Sequence, residues 1–299
     1  MGRVDLDALG LSAGKKARLH RILYQFGPGN GVALLLPYDQ GLEHGPRDFF
    51  NNPDSADPRY LLRLAVEGGY SGVVFQTGIA KKYYHEFAGR IPLVVKLNGK
   101  TDIPSDEEAF SPVHTTVEEA VALGADAVGY TMYVGSPVQD RDFIQFGRVR
   151  AEADRLGVPI IVWAYPRGRA VEARGGQLTS YAIEYAARVA AELGADMVKV
   201  NVPRYQEDKN RMTPKPYSEM QFSEEEAVRR IVWAAGRTPV IISGGAMVSE
   251  EEVLAKAEVS LRAGASGLIF GRNVWQRPYP DAIRISRRIR QLMEETARG

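Results

Sequence analysis

The chain has 299 residues, with 38 Lys and Arg against 37 Asp and Glu and a formal charge of +1 with neutral histidines, so no global field recruits nucleic acid or an anionic membrane. It contains no cysteine, which excludes disulfides, a thiol nucleophile and thiolate metal ligands. No apolar run reaches the roughly eighteen residues of a membrane span, and residues 1–10 lack a signal-peptide core, so the expected compartment is the cytoplasm.

In chain order, residues 12–24 read as a helix, and an apolar run at 32–36 reads as a first strand ending in Pro37-Tyr38-Asp39-Gln40-Gly41-Leu42-Glu43-His44-Gly45. Helix 58–66 leads through Glu67-Gly68-Gly69-Tyr70-Ser71-Gly72 into strand 73–75. Helix 80–88 precedes strand 93–97, which runs out through Asn98-Gly99-Lys100-Thr101. Helix 116–123, closed by Leu123-Gly124-Ala125-Asp126, precedes strand 127–129. Helix 141–156 precedes strand 160–164, which continues into Tyr165-Pro166-Arg167-Gly168. Helix 181–193 ends in Leu193-Gly194-Ala195-Asp196 before strand 197–201. Helix 223–235 precedes strand 240–242 and Ser243-Gly244-Gly245; helix 249–262 ends in Ala263-Gly264-Ala265-Ser266 before strand 267–270 and Gly271-Arg272-Asn273; helix 281–296 follows.

The recurrent Gly with small neighbours is a helix-closing turn that launches the next strand at once. Ser223 with Glu226, and Ser249 with Glu252, carry the spacing of capping boxes. Nearly continuous apolar strands alternating with amphipathic helices mean parallel strands covered by helices. Eight such units predict a closed (β/α)8 TIM barrel as a single domain over 1–299, with a helical extension at 1–30 over its bottom and a long loop at 203–222 after strand six. An open doubly wound sheet is the alternative, but no Gly-x-Gly-x-x-Gly follows an early strand.

Lys199 interrupts an otherwise apolar strand. Alternation puts Met197, Lys199 and Asn201 on one face and Val198 and Val200 on the other. Desolvation lowers an amine's pKa, as attack on a carbonyl near neutral pH requires. The segment alone admits two readings: a Schiff-base lysine, or a strand-end lysine that snorkels to solvent or sits in a structural ion pair. In such a barrel the reactive groups lie at the C-terminal strand ends. There Asp39, Lys96, Tyr165 and Lys199 are mutually consistent as inward residues, with Trp163 on the face of Tyr165. Taken singly, Asp39 also suits a turn or cap, Tyr165 and Trp163 core packing, and Lys96 an ion pair. Together, a carboxylate to shuttle protons and a phenol to serve the carbon beside an iminium suit making or breaking a carbon–carbon bond α to a ketone. Ser243, Gly244 and Gly245 after strand seven, and Gly271 and Arg272 after strand eight, occupy the slots where many barrels hold phosphate. Glu43, His44, His20 and His114 show no metal-ligand spacing, so no metal site is expected; His44 is left to orient Asp39 or to touch substrate.

The Asp39 to Gly45 segment, Trp163-Ala164-Tyr165-Pro166-Arg167-Gly168, Gly194-Ala195-Asp196-Met197-Val198-Lys199, Ser243-Gly244-Gly245 and Gly271-Arg272-Asn273 together resemble the archaeal-type class I fructose-1,6-bisphosphate aldolases, from about residue 30 to residue 290. The long polar loop after Lys199 resembles the bacterial branch. The resemblance implies a Schiff base at Lys199, proton transfer by Tyr165, assistance by Asp39, and substrate contacts from Trp163, Ser243, Gly244, Gly245, Gly271 and Arg272. It implies a phosphorylated sugar substrate, no metal or other cofactor, and a large homo-oligomer of ten subunits. Sister enzymes share the lysine: a synthase of 2-amino-3,7-dideoxy-D-threo-hept-6-ulosonate and a phospho-sugar thiolase. A non-catalytic sugar-phosphate-binding barrel is the reading from another class. In the loop, Lys209, Arg211 and Lys215 are candidates for a second phosphate; an oligomer contact is the other reading of that loop.

Overall fold

The computed structural model describes residues 2–296. Eight strands, β1 Ala33–Pro37, β2 Gly72–Gln76, β3 Leu93–Lys96, β4 Ala127–Val134, β5 Ile160–Pro166, β6 Met197–Val200, β7 Val240–Ser243 and β8 Gly267–Ile269, close in sequence order into a barrel. Every neighbouring pair is parallel, including β1 with β8, where Leu35 stands opposite Ile269. The fold is therefore the (β/α)8 barrel with its N-terminal helix, and not the open sheet.

Strand alternation sorts the core into two shells. Leu34, Leu36, Val198 and Val200 pack outward against the helices, whereas Ala33, Leu35, Met197 and Ile241 fill the barrel. The lower end of that inner cluster is completed by Leu19, Ile22 and Leu23, with Val4 and Leu6. The N-terminal helix Ala13–His20 thus plugs the bottom, and it runs on through a π-helical turn, Arg21–Gln25. The acidic residue that closes the repeated Gly-Ala-Asp turns ties it there. Asp196 accepts hydrogen bonds from Lys15 Nζ at 2.8 Å and from the Ile160 amide, while Asp126 pairs with Arg21 at 2.7 Å.

Both expected capping boxes form at Ser223 and Ser249, and a third at Thr116 with Glu119. Expected helix 80–88 starts earlier and divides into Thr77–Tyr83 and a 3-10 turn, Tyr84–Phe87. Strand β4 runs five residues beyond the expected 127–129. Its pairing with β5 continues through Tyr133 opposite Tyr165 and Val134 opposite Pro166, which stiffens the strand end that carries Tyr165. The loop after β6 is built rather than loose. It holds the short helix Glu207–Arg211 and the 3-10 turn Tyr217–Glu219, and the buried Asn210 amide donates to the Tyr217 and Met220 carbonyls at 2.8 Å each. Tyr217 and Arg230 both bind the buried Glu184 carboxylate.

Candidate active site

One cavity opens at the C-terminal ends of the strands. It is lined by Asp39, His44, Trp163, Tyr165, Lys199, Ser243, Gly244, Gly245, Gly271 and Arg272. Of the strand-end residues expected to converge there, Lys96 lies outside that lining. It sits deeper, 3 % exposed, where its amine hydrogen-bonds Thr131, lies over the Trp163 ring at 4.4 Å and stands 3.6 Å from the Asp39 carboxylate. Gly129 on β4 makes this possible: a Cβ there would fall 2.6 Å from Lys96 Cδ and 2.9 Å from Trp163 Cζ3.

Lys199 projects into the barrel as alternation requires and is 7 % exposed. Its amine donates to the Tyr165 hydroxyl and lies 4.4 Å from the centre of the same ring. Burial pulls its pKa down to about 7; the Asp39 and Glu43 carboxylates oppose this fall, and Lys96 and Arg167 add to it. A substantial fraction of the amine is then neutral and nucleophilic near neutral pH. Burial likewise lowers the pKa of Lys96, against the pull of Asp39 and Glu43. Asp39 is raised by burial, partly offset by Lys96 and Lys199. Although it stands at the head of the short helix Gln40–His44, its side chain makes no capping bond, so the cap reading of this residue fails. Tyr165 is pushed well above the usual phenol range by burial and then by Glu43 and Asp39; its ring also stacks under Arg167 at 5.1 Å.

The β7 and β8 loops meet across the cavity. Ser243 donates to Asn201 at 2.6 Å, and the Gly244 amide is already bonded to the Ile269 carbonyl at 3.2 Å. Among the described residues the amides of Gly245 and Gly271 donate to no protein acceptor, which leaves them for a ligand anion. Gly271 has to be glycine, because a Cβ would come within 2.9 Å of both Gln40 Nε2 and Pro37 Cγ.

Several lining residues were not singled out beforehand: Gln40, Glu43, Arg167, Asn201, Arg204 and Lys256. The first four sit within or beside the strand-end segments already noted, so position alone could have found them. Lys256 lies midway along helix Glu250–Arg262, where no local pattern marks it; its amine reaches back to the Gly244 carbonyl at 3.2 Å. Lys209, Arg211 and Lys215 are exposed and do not line the cavity; Arg211 and Lys215 pair with Glu207 and Glu219 instead. His44 does not orient Asp39: its ring Nδ1 is bonded to Asp48 at 2.7 Å. Among the described residues no group of three or more His, Asp or Glu could hold a metal ion, and no helix is long and apolar enough to cross a membrane.

Comparison with known proteins places this geometry among similar ones. Residues 33–277 match a family model described as DeoC/LacD family aldolase. A class 1 fructose-bisphosphate aldolase of Thermoproteus tenax is 44 % identical over 267 residues, spanning 88 % of this chain and 90 % of the relative. A protein of Methanocaldococcus jannaschii named fructose-bisphosphate aldolase/6-deoxy-5-ketofructose 1-phosphate synthase is 33 % identical, over 85 % of this chain and 79 % of its own. Among solved structures, an archaeal fructose-1,6-bisphosphate aldolase with its catalytic lysine covalently bound to the carbinolamine intermediate of the substrate is 40 % identical, with a TM-score of 0.78 over 92 % of this chain and 99 % of that one.

Proposed function

The chain belongs to the DeoC/LacD family of aldolases, and we propose that it acts within that family as a class I enzyme, cleaving fructose 1,6-bisphosphate reversibly through a Schiff base at Lys199. The observation that carries this is the buried Lys199 amine, held at a pKa of about 7 against the Tyr165 hydroxyl at the mouth of the barrel.

The neutral Lys199 amine attacks the keto carbon of the substrate. Asp39 relays the proton as the carbinolamine loses water to give an iminium, which draws electrons from the carbon–carbon bond between C3 and C4. Tyr165 takes the proton from the C4 hydroxyl as that bond breaks and returns it to C3 of the resulting enamine. Hydrolysis then frees the second product and restores the amine. The elevated pKa of Tyr165 describes the resting site. Once the amine becomes an iminium, a permanent positive charge lies against the phenol and favours its ionised form. Electron withdrawal comes from the covalent iminium, so the reaction is assigned no metal.

Gly245, Gly271 and Arg272 grip one phosphate in this reading. Ser243 and Gly244 shape the turn, Lys256 pins it, and Arg204 stands on the β6 side for the second phosphate. The 203–222 loop serves as a braced wall. A homodecamer in the cytoplasm completes the proposal; the exposed Trp233 side chain is of the kind that an interface between copies covers.

The test is to add dihydroxyacetone phosphate and then borohydride to wild type and Lys199→Ala and to read the protein mass. Wild type alone should gain an adduct, with or without chelator. No adduct in wild type would leave a non-catalytic binding barrel. Adduct formation without cleavage of fructose 1,6-bisphosphate would favour a synthase of the kind named for the Methanocaldococcus relative.

A further inference from the structure

His44 and Arg272 reach the cavity from two different loops, after β1 and after β8, and a residue outside the lining joins them. The Asp48 Oδ2 atom accepts from His44 Nδ1 at 2.7 Å and stands 3.9 Å from Arg272 Nη1. The Asp48 side chain is only 12 % exposed. Its backbone is fixed as well, because the Asp48 carbonyl accepts from the buried Gln276 amide at 2.6 Å, and Gln276 directly follows the short helix Arg272–Trp275.

A carboxylate that accepts from Nδ1 settles which imidazole nitrogen carries a proton and leaves Nε2 as the ring atom able to meet a ligand. The same carboxylate faces the guanidinium as an opposite charge at 3.9 Å, beyond hydrogen-bond reach, so the guanidinium N–H groups on that side are not used by Asp48 and can pair with an anion. A phosphate monoester titrates near neutral pH. A single proton therefore suffices between Nε2 and a phosphate oxygen, whichever of the two supplies it.

We propose that Asp48 is a positioning residue for phosphate recognition, holding His44 so that Nε2 joins the Arg272 guanidinium on one substrate phosphate. This rests on the sugar-phosphate aldolase reading and adds a determinant that strand-end position does not reveal, since Asp48 lies in the 3-10 turn Gly45–Phe49 and touches no ligand itself.

The test compares borohydride trapping of two ketones, dihydroxyacetone phosphate and dihydroxyacetone, on the full chain. Asp48→Asn and His44→Gln should each raise the concentration of the phosphorylated ketone needed for half-maximal trapping by about tenfold or more, and raise that of the unphosphorylated ketone by a clearly smaller factor. Equal losses with both ketones, or no change with either, would overturn the inference; if Asp48→Asn does not fold, His44→Gln carries the same comparison. Wild type that traps neither ketone would remove the aldolase reading and this inference with it, an outcome distinct from a phosphate-blind variant.

Discussion

The Lys199 amine lies over the ring of Tyr165, 4.4 Å from its centroid, while donating a hydrogen bond to the same residue's hydroxyl. One phenol is therefore placed both to wall the amine and, in the proposed reaction, to carry the proton. Replacing Tyr165 by Phe keeps the wall and removes the carrier. Tyr165→Phe should still give the borohydride-trapped adduct but cleave fructose 1,6-bisphosphate about 10²- to 10⁴-fold more slowly. Loss of both in equal measure would show the hydroxyl to be needed for amine attack instead.

The initial rate of adduct formation should follow titration of the Lys199 amine. With its pKa lowered to about 7, the rate should rise from about pH 6 to about pH 8 and then level off. A rise seen only near pH 10, the range of a lysine in water, would remove the case for burial-driven activation.

Asp39 contributes the largest opposition to that lowering. Asp39→Asn should therefore shift the midpoint of adduct formation to lower pH, even as overall turnover falls with the loss of the proton relay. An upward shift would mean that the carboxylate acts on Lys199 in some way other than by charge.

The features legible in the sequence were those with local causes. Period-two alternation put Lys199 inside, and the glycines that end helices marked four of the strand entries. The extension of β4 escapes the pattern because Tyr130, Thr131 and Tyr133 break its apolar run, although Tyr130 packs on the helix side and Thr131 and Tyr133 share the opposite face. Asp196 and Asp126 looked like turn residues, because their partners Lys15 and Arg21 lie far away in the chain. Lys256 and Asp48 carry no strand-end mark either: Lys256 reaches back from mid-helix to the Gly244 carbonyl, and Asp48, although it pairs locally with His44, meets Arg272 only through barrel closure. Gly129 closes the expected strand 127–129 with no local sign that its missing side chain is what admits Lys96 and Trp163.

Holding an amine at a lowered pKa costs stability. A lysine whose folded pKa lies below its unfolded value binds fewer protons in the native state, so its penalty is full below about pH 7 and vanishes as pH rises through the unfolded value near 10.5. Lys199→Met removes that penalty at similar volume. The variant should be inactive yet more stable than wild type by at least about 1 kcal/mol at pH 7, and the gain should shrink toward pH 10 in urea titrations. A less stable variant would show that the amine's bond to Tyr165 outweighs its desolvation.

The space that Gly129 leaves open gives the last prediction. A methyl group placed 2.6 Å from Lys96 Cδ and 2.9 Å from Trp163 Cζ3 has to displace one or both. Lys96 is hemmed in by Thr131 and Asp39, and Trp163 is pinned beneath the Lys96 cation. Gly129→Ala should thus destabilise the barrel by about 1–3 kcal/mol through overpacking. It should also lower turnover more than a fold-wide loss of that size would, because Lys96 can no longer sit beside Asp39. The check is kcat measured where urea titration shows the variant fully folded. Unchanged kcat there would mean that the Lys96–Asp39 contact has no part in the chemistry, and that Gly129 serves packing alone.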